Sequence, residues 1–228
     1  MKLSALVISS VVMSFTTQGY AQTTAEQQKA LTPDSVLAEL VDGNKRFAEN
    51  KLTPKDVPAR IAQTAKGQYP KAVILSCLDS RVPVEKVFDQ GIGDIFVGRV
   101  AGNVENEDQL GSMEFATKLA GSKVIMVLGH TACGAVKGAC DGAKMGNLTA
   151  LLSKIQPAVD AVKGFKPEER NSKNIEFVNK VVAQNVIQTV GDIRKRSEIL
   201  TQLEKDGALK IVGAVYDLET GKVTLLDI

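Results

Sequence analysis

Apolar positions along this chain follow two rhythms, one helical and one of short buried runs. From Thr32 to Lys51, "TPDSVLAELVDGNKRFAENK" places Val36, Leu37, Leu40, Val41 and Phe47 on one helical face, with Pro33 where a helix opens. Three shorter runs, "KAVILSC" from Lys71, "DIFVGRV" from Asp94 and "KVIMVLGH" from Lys123, are bounded by polar residues and read as strands buried on both faces. "NEDQLGSMEFATKLAG" predicts a helix ahead of the third run, and "CGAVKGACDGAKMG" begins another after it. Residues 147–204 carry long helical patterns, and "LKIVGAVYDLETGKVTLLDI" closes the chain as two strands around a Glu-Thr-Gly turn. Alternating strands and helices predict an α/β domain with a mostly parallel central sheet, an antiparallel edge strand, flanking helices and an extended N-terminal helix.

The first residues belong to neither rhythm. Met1-Lys2 gives a positive start, "LSALVISSVVMSF" an apolar run, and "GYA" a small-x-small end, the layout of a secretory signal peptide over residues 1–21. Cleavage after Ala21 leaves a polar segment, 22–32, and one domain, 33–228. The expected location is outside the cytoplasm, in a bacterial periplasm. Removing Lys2 takes the net charge from +2 to +1, and no basic block remains that would suit nucleic acid. No later segment is long and apolar enough to span a bilayer, so no stable membrane insertion is expected after cleavage.

An exported chain usually commits its cysteines to disulfides, but three (Cys77, Cys133, Cys140) cannot all pair. One disulfide with a free thiol, three core thiols, or a metal site remain open. The single histidine, His130, stands in "GHTACG" three positions before Cys133, while "SCLDSR" carries Cys77 and Asp79. Both stretches fall where a predicted strand runs out into a loop, and open α/β sheets gather ligands at the carboxyl ends of strands. Two thiolates, an imidazole and a carboxylate are a suitable set for tetrahedral zinc. If strand geometry continues past Cys77, Asp79 points the same way as Cys77, and Gly129 and Gly134 let the backbone approach the metal. Cys140 falls outside this set as a helix residue.

C-x-D-x-R followed by H-x-x-C resembles the signature of the β-class carbonic anhydrases. "GNKRF", "FVGRVAGN", "GSMEFA" and "GAVYDLETGKV" resemble further segments of that family, so the similarity runs from about Ser35 to Ile228. It implies one Zn2+ per subunit, held by Cys77, His130 and Cys133. It also implies an Asp79–Arg81 dyad in which Arg81 keeps Asp79 from the fourth position or releases it to the metal. The implied reaction is reversible hydration of CO2 to bicarbonate and a proton through zinc-bound hydroxide, whose hydrogen bond Asp79 accepts. Gln68, nine residues before Cys77, and the N–H of Gly134 are implied donors to a substrate oxygen. Phe96 and Phe115 are implied as an apolar wall for CO2, Phe115 reaching in from a partner subunit of a homodimer or homotetramer; core packing is the equal alternative for both.

Some positions depart from the family pattern. Ile74 stands where bicarbonate-regulated members carry tryptophan, and the chain has no tryptophan, so Arg99 is expected to make an ordinary structural pair. With no second histidine, the proton must leave by water or buffer. A CS2 or COS hydrolase on the same scaffold is the alternative activity. A nonenzymatic zinc or thiol protein would have no need of Asp79, Arg81 and Gln68.

Overall fold

The computed structural model describes residues 23–228; the expected signal segment lies outside them. Five strands, β1 (Ala72–Ser76), β2 (Ile95–Arg99), β3 (Val124–His130), β4 (Lys210–Tyr216) and β5 (Val223–Leu225), form one sheet in the order β2-β1-β3-β4-β5. All neighbours are parallel except β4 and β5. Every residue of β1 and β3 is buried, which is why each reads as an unbroken apolar run.

Period-two alternation sends the two sets of side chains to opposite faces. Ile74, Met126, Leu128 and Ala214 pack against Val36 and Leu40 of α2 (Pro33–Ala48) and against Val84 and Val87 of α4 (Val84–Val87). Leu75, Ile125 and Val127 pack against Leu110 and Met113 of α5 (Glu107–Glu114) and Val186, Val190 and Ile193 of α9 (Ile175–Arg196). Beyond the carboxyl ends of the strands, α6 (Gly134–Cys140), α7 (Gly146–Ser153) and α8 (Gln156–Ala161) build a third cluster with α9. α10 (Glu198–Lys205) leads into β4.

Chain order fixes where a ligand can sit. The chain leaves β1 toward β2 on one side, and leaves β3 toward β4 on the other, although β1 and β3 are paired with Ser76 opposite Leu128. Connections that diverge from adjacent strands open a crevice at their carboxyl ends. "SCLDSR" and "GHTACG" are the loops at that crevice.

Several elements differ from expectation. The polar stretch before Thr32 contains α1 (Ala25–Ala30), capped by Thr24 and Gln27 and docked by buried Gln28, whose Nε2 donates to the carbonyls of Pro70 (2.7 Å) and Ala120 (2.8 Å). Two further short helices, α3 (Val57–Thr64) and α4, carry no apolar run long enough to announce them. The helix expected over 106–121 is α-helical only to Glu114, then widens into a π-turn, Phe115–Leu119, in which Ala120 N–H reaches Phe115 C=O at 2.9 Å. Strand geometry also stops at Ser76, so alternation does not orient Asp79.

Candidate metal centre

β1 delivers Cys77 one residue past its end, and β3 delivers His130 as its last residue. Cys133 follows as the N-cap of α6. One ligand atom from each of Cys77, His130 and Cys133 falls within 4.8 Å of the others, and all three residues are buried. His130 Nδ1 is 2.9 Å from the carbonyl of Thr131, so it carries the proton and donates. Its Nε2 is buried and has no hydrogen-bond partner. A buried nitrogen lone pair facing two sulfurs is costly in an apolar pocket unless something accepts it, and a divalent cation does. The donor set therefore fits a thiolate-preferring tetrahedral ion.

The thiols are 3.9 Å apart. Contact with Cys133 holds Cys77 toward the thiolate form against its own burial, with help from His130 and the N–H of Gly102, 3.3 Å from Sγ. That same contact and burial push Cys133 up. Burial works against a charged His130, but the neighbouring Cys77 outweighs it and raises the imidazole. An ion would take over the role of these shared protons, because ligating thiols and imidazole bind deprotonated.

Asp79 lies at the edge of the cluster, Oδ2 3.7 Å from His130 Nε2. It is turned to Arg81 through a bidentate pair, Nε to Oδ1 at 2.9 Å and a terminal nitrogen to Oδ2 at 2.7 Å, and it accepts the Arg81 backbone N–H at 2.9 Å. The guanidinium holds this carboxyl well below the usual carboxylate range. Asp79 is therefore an acceptor at any ordinary pH.

Arg99, expected to make an ordinary pair, instead donates to three backbone carbonyls: Cys77 (3.1 Å), Asp79 (2.6 Å) and Val82 (2.9 Å). It clamps the loop that carries Cys77, Asp79 and Arg81. No local motif marks this, because its acceptors are main-chain atoms. Gly102, whose N–H reaches Cys77, was likewise not a sequence candidate.

The remaining residues are distributed differently. Gly134 opens α6, where its N–H is one of the donors a helix leaves unsatisfied. Gly129 does not serve a metal approach: a Cβ there would stand 2.7 Å from Val186 Cγ2 of α9, so it makes room for that helix. Gln68 sits beyond the amino end of β1, and the five residues of that strand, roughly 16 Å of extended chain, separate it from Cys77. Phe96 and Phe115 meet edge to face, ring centres 6.2 Å apart, in a cavity of 780 Å³ between β2 and the helix after it. Arg99 lines this cavity and none of the three clustered residues does; Phe115 is 51% exposed. Cys140 is a free, half-buried thiol pushed up to about 11 by burial, outside the cluster.

A family model described as carbonic anhydrase matches residues 72–223. A carbonic anhydrase of Mycolicibacterium smegmatis is 36% identical over 199 residues, covering 85% of this chain and 93% of that protein. Carbonic anhydrase 2 of Mycobacterium tuberculosis is 35% identical over 198 residues, covering 86% and 93%. Among solved structures, a Coccomyxa β-carbonic anhydrase in complex with acetazolamide superposes with a TM-score of 0.66 at 25% identity, over 83% of this chain and 86% of that one. A tetrameric β-carbonic anhydrase of Sordaria macrospora shares the fold, with a TM-score of 0.63 at 22% identity over 85% and 98%.

Proposed function

The chain belongs to the β-class carbonic anhydrases, and from that premise we propose that it hydrates CO2 reversibly to bicarbonate and a proton at a zinc site formed by Cys77, His130 and Cys133. One observation carries the reading: a Cys-His-Cys cluster beside a carboxylate held away from it by its own arginine. A purely structural zinc site is closed by a fourth protein ligand, whereas a catalytic site keeps one position for solvent. Bound there, zinc would supply Lewis acidity that makes a water nucleophilic near neutral pH.

The chain's own residues do the rest. Arg81 keeps both oxygens of Asp79 engaged, which leaves the fourth position to solvent. Asp79, always ionised, accepts a hydrogen bond from the attacking water and turns a lone pair toward the carbon of CO2. As the new C–O bond forms, charge grows on a CO2 oxygen, and in this reading the N–H of Gly134, a free helix-start donor after Cys133, donates to it. The proton released passes to water or buffer, since the chain has no second histidine. CO2 rather than CS2 or COS is the substrate named by the relatives' activity.

Gln68 and Phe115 join this site from a neighbouring subunit in our reading, which makes the working enzyme a homodimer or homotetramer. Supporting it are the strand that separates Gln68 from Cys77, the exposure of Phe115 and the tetrameric fold relative. Export to a bacterial periplasm rests on residues 1–21 alone; among the described residues no helix is long and apolar enough to cross a membrane. Sequencing the N-terminus of protein recovered from a periplasmic fraction should begin at Gln22. Stopped-flow CO2 hydration on protein carrying one zinc per chain tests the activity, and no hydration between pH 7 and 9 would overturn it.

A further inference from the structure

We infer that Asn179 and Asn185 of α9 are positioning residues for the metal centre, the first fixing the loop that delivers His130 and Cys133, the second a turn whose N–H reaches Cys77. This rests on the zinc reading above. The first loop runs His130-Thr131-Ala132-Cys133, and Ala132 has φ 55°. A left-handed alanine is disfavoured by its Cβ and persists only where its surroundings hold it. Its N–H donates to Asn179 Oδ1 at 2.9 Å. Were Ala132 to relax, the spacing between His130 and Cys133 would change with it.

The second loop follows β2. Its 3-10 turn, Ala101–Asn103, places both Gly102 (φ 70°) and Asn103 (φ 46°) in the left-handed region. The N–H of Gly102 reaches Cys77 Sγ, and the carbonyl of Gly102 accepts Asn185 Nδ2 at 2.8 Å. Asn185 is 1% exposed, and its Oδ1 has no hydrogen-bond partner. Burying half an amide unsatisfied is costly, so an apolar residue would suit this helix face better if packing were the only demand. The bond to Gly102 is what the amide provides.

The two asparagines are six residues apart, about 9 Å along the helix axis. A single rigid helix therefore sets the distance between a turn that touches Cys77 and a loop that carries His130 and Cys133. Groups that bond metal ligands directly typically account for about 10–100-fold in metal affinity, and these asparagines act on the same ligands through one intervening residue, Ala132 or Gly102.

The test compares Asn179→Leu, Asn179→Asp and Asn185→Leu in full-length mature protein. Zinc release to a chromogenic chelator is followed, together with the thiolate-to-cobalt absorption of the cobalt-substituted forms and the melting temperature of metal-free protein. Both leucine variants should release zinc about 10–100-fold faster than wild type and show a weakened, shifted cobalt band. Asn179→Asp keeps the acceptor for Ala132 N–H and should stay within about threefold of wild type. Equal loss in Asn179→Asp and Asn179→Leu overturns the inference, as does a lower metal-free melting temperature with unchanged release, the mark of a merely structural role. Should Asn185→Leu fail to fold, the Asn179 pair still decides. Wild-type protein that takes up no zinc at one per chain would instead bring down the zinc reading.

Discussion

At the residue scale, the Asp79–Arg81 pair decides what kind of metal centre this is. Both oxygens of Asp79 are committed to Arg81, and the proposed mechanism has the carboxylate act on what lies in the fourth position without filling it. Asp79→Asn should keep one zinc per chain by metal analysis while hydration falls about 10²–10⁴-fold, the usual effect of losing a positioned ionised group. Loss of zinc in that variant would make Asp79 an obligate ligand. A second carboxylate, Asp89, belongs to stability. Its side chain is fully buried, and although burial opposes its ionisation, Lys55, Thr53 and Arg46 (Nε at 2.6 Å) together hold it down at about 2. A folded pKa below the unfolded value of about 3.9 stabilises the fold above that value, and the gain is lost as pH falls toward 2, an effect of roughly 2 kcal/mol. In urea unfolding, the gap between wild type and Asp89→Asn should therefore shrink from pH 6 to pH 2.5. A gap that stays constant with pH would show that Asp89 acts through packing.

At the element scale, α9 passes against β3 through Gly129. A Cβ at that position would lie 2.7 Å from Val186 Cγ2 and 3.1 Å from Val182 Cγ1. Gly129→Ala should cost about 1–3 kcal/mol by overpacking, and Val186→Ala in the same chain should recover much of it, measured as a coupling in a double-mutant cycle. Additive losses would show that the helix shifts freely. This glycine also marks where sequence reasoning stops. β1 and β3 are legible because both faces are buried, and α2 because one stripe is. The convergence of Cys77, His130 and Cys133 follows from those strands' carboxyl ends, and the resemblance carried by the two motifs supplied their roles. Gly129, by contrast, answers to a valine far downstream, Arg99 to carbonyls, and α1 to a buried glutamine. None of these demands leaves an apolar period or a motif. The π-turn that begins at Phe115 is also silent in the sequence.

At the scale of the whole molecule, one chain does not bring every implied substrate contact to its own cluster. Gln68 and Asp79 stand at opposite ends of β1, and a rigid strand cannot fold back to join them. If Gln68 serves the site of a neighbouring subunit, two different inactive chains can repair one another. A Gln68→Ala chain keeps Asp79 but offers its neighbour no amide, while an Asp79→Asn chain offers the amide and lacks the acceptor. In the mixed dimer, the site built on the first chain's Asp79 receives Gln68 from the second and is complete; the other site lacks both. Random reassociation of equal amounts makes half the dimers mixed, each with one whole site in two. About a quarter of wild-type hydration activity should therefore return on mixing after dissociation and refolding, from two parents that are each far below it. Activity no greater than the average of the parents would place Gln68 outside the reaction or confine it to its own chain, and light scattering on the same samples would distinguish that result from a failure to reassociate.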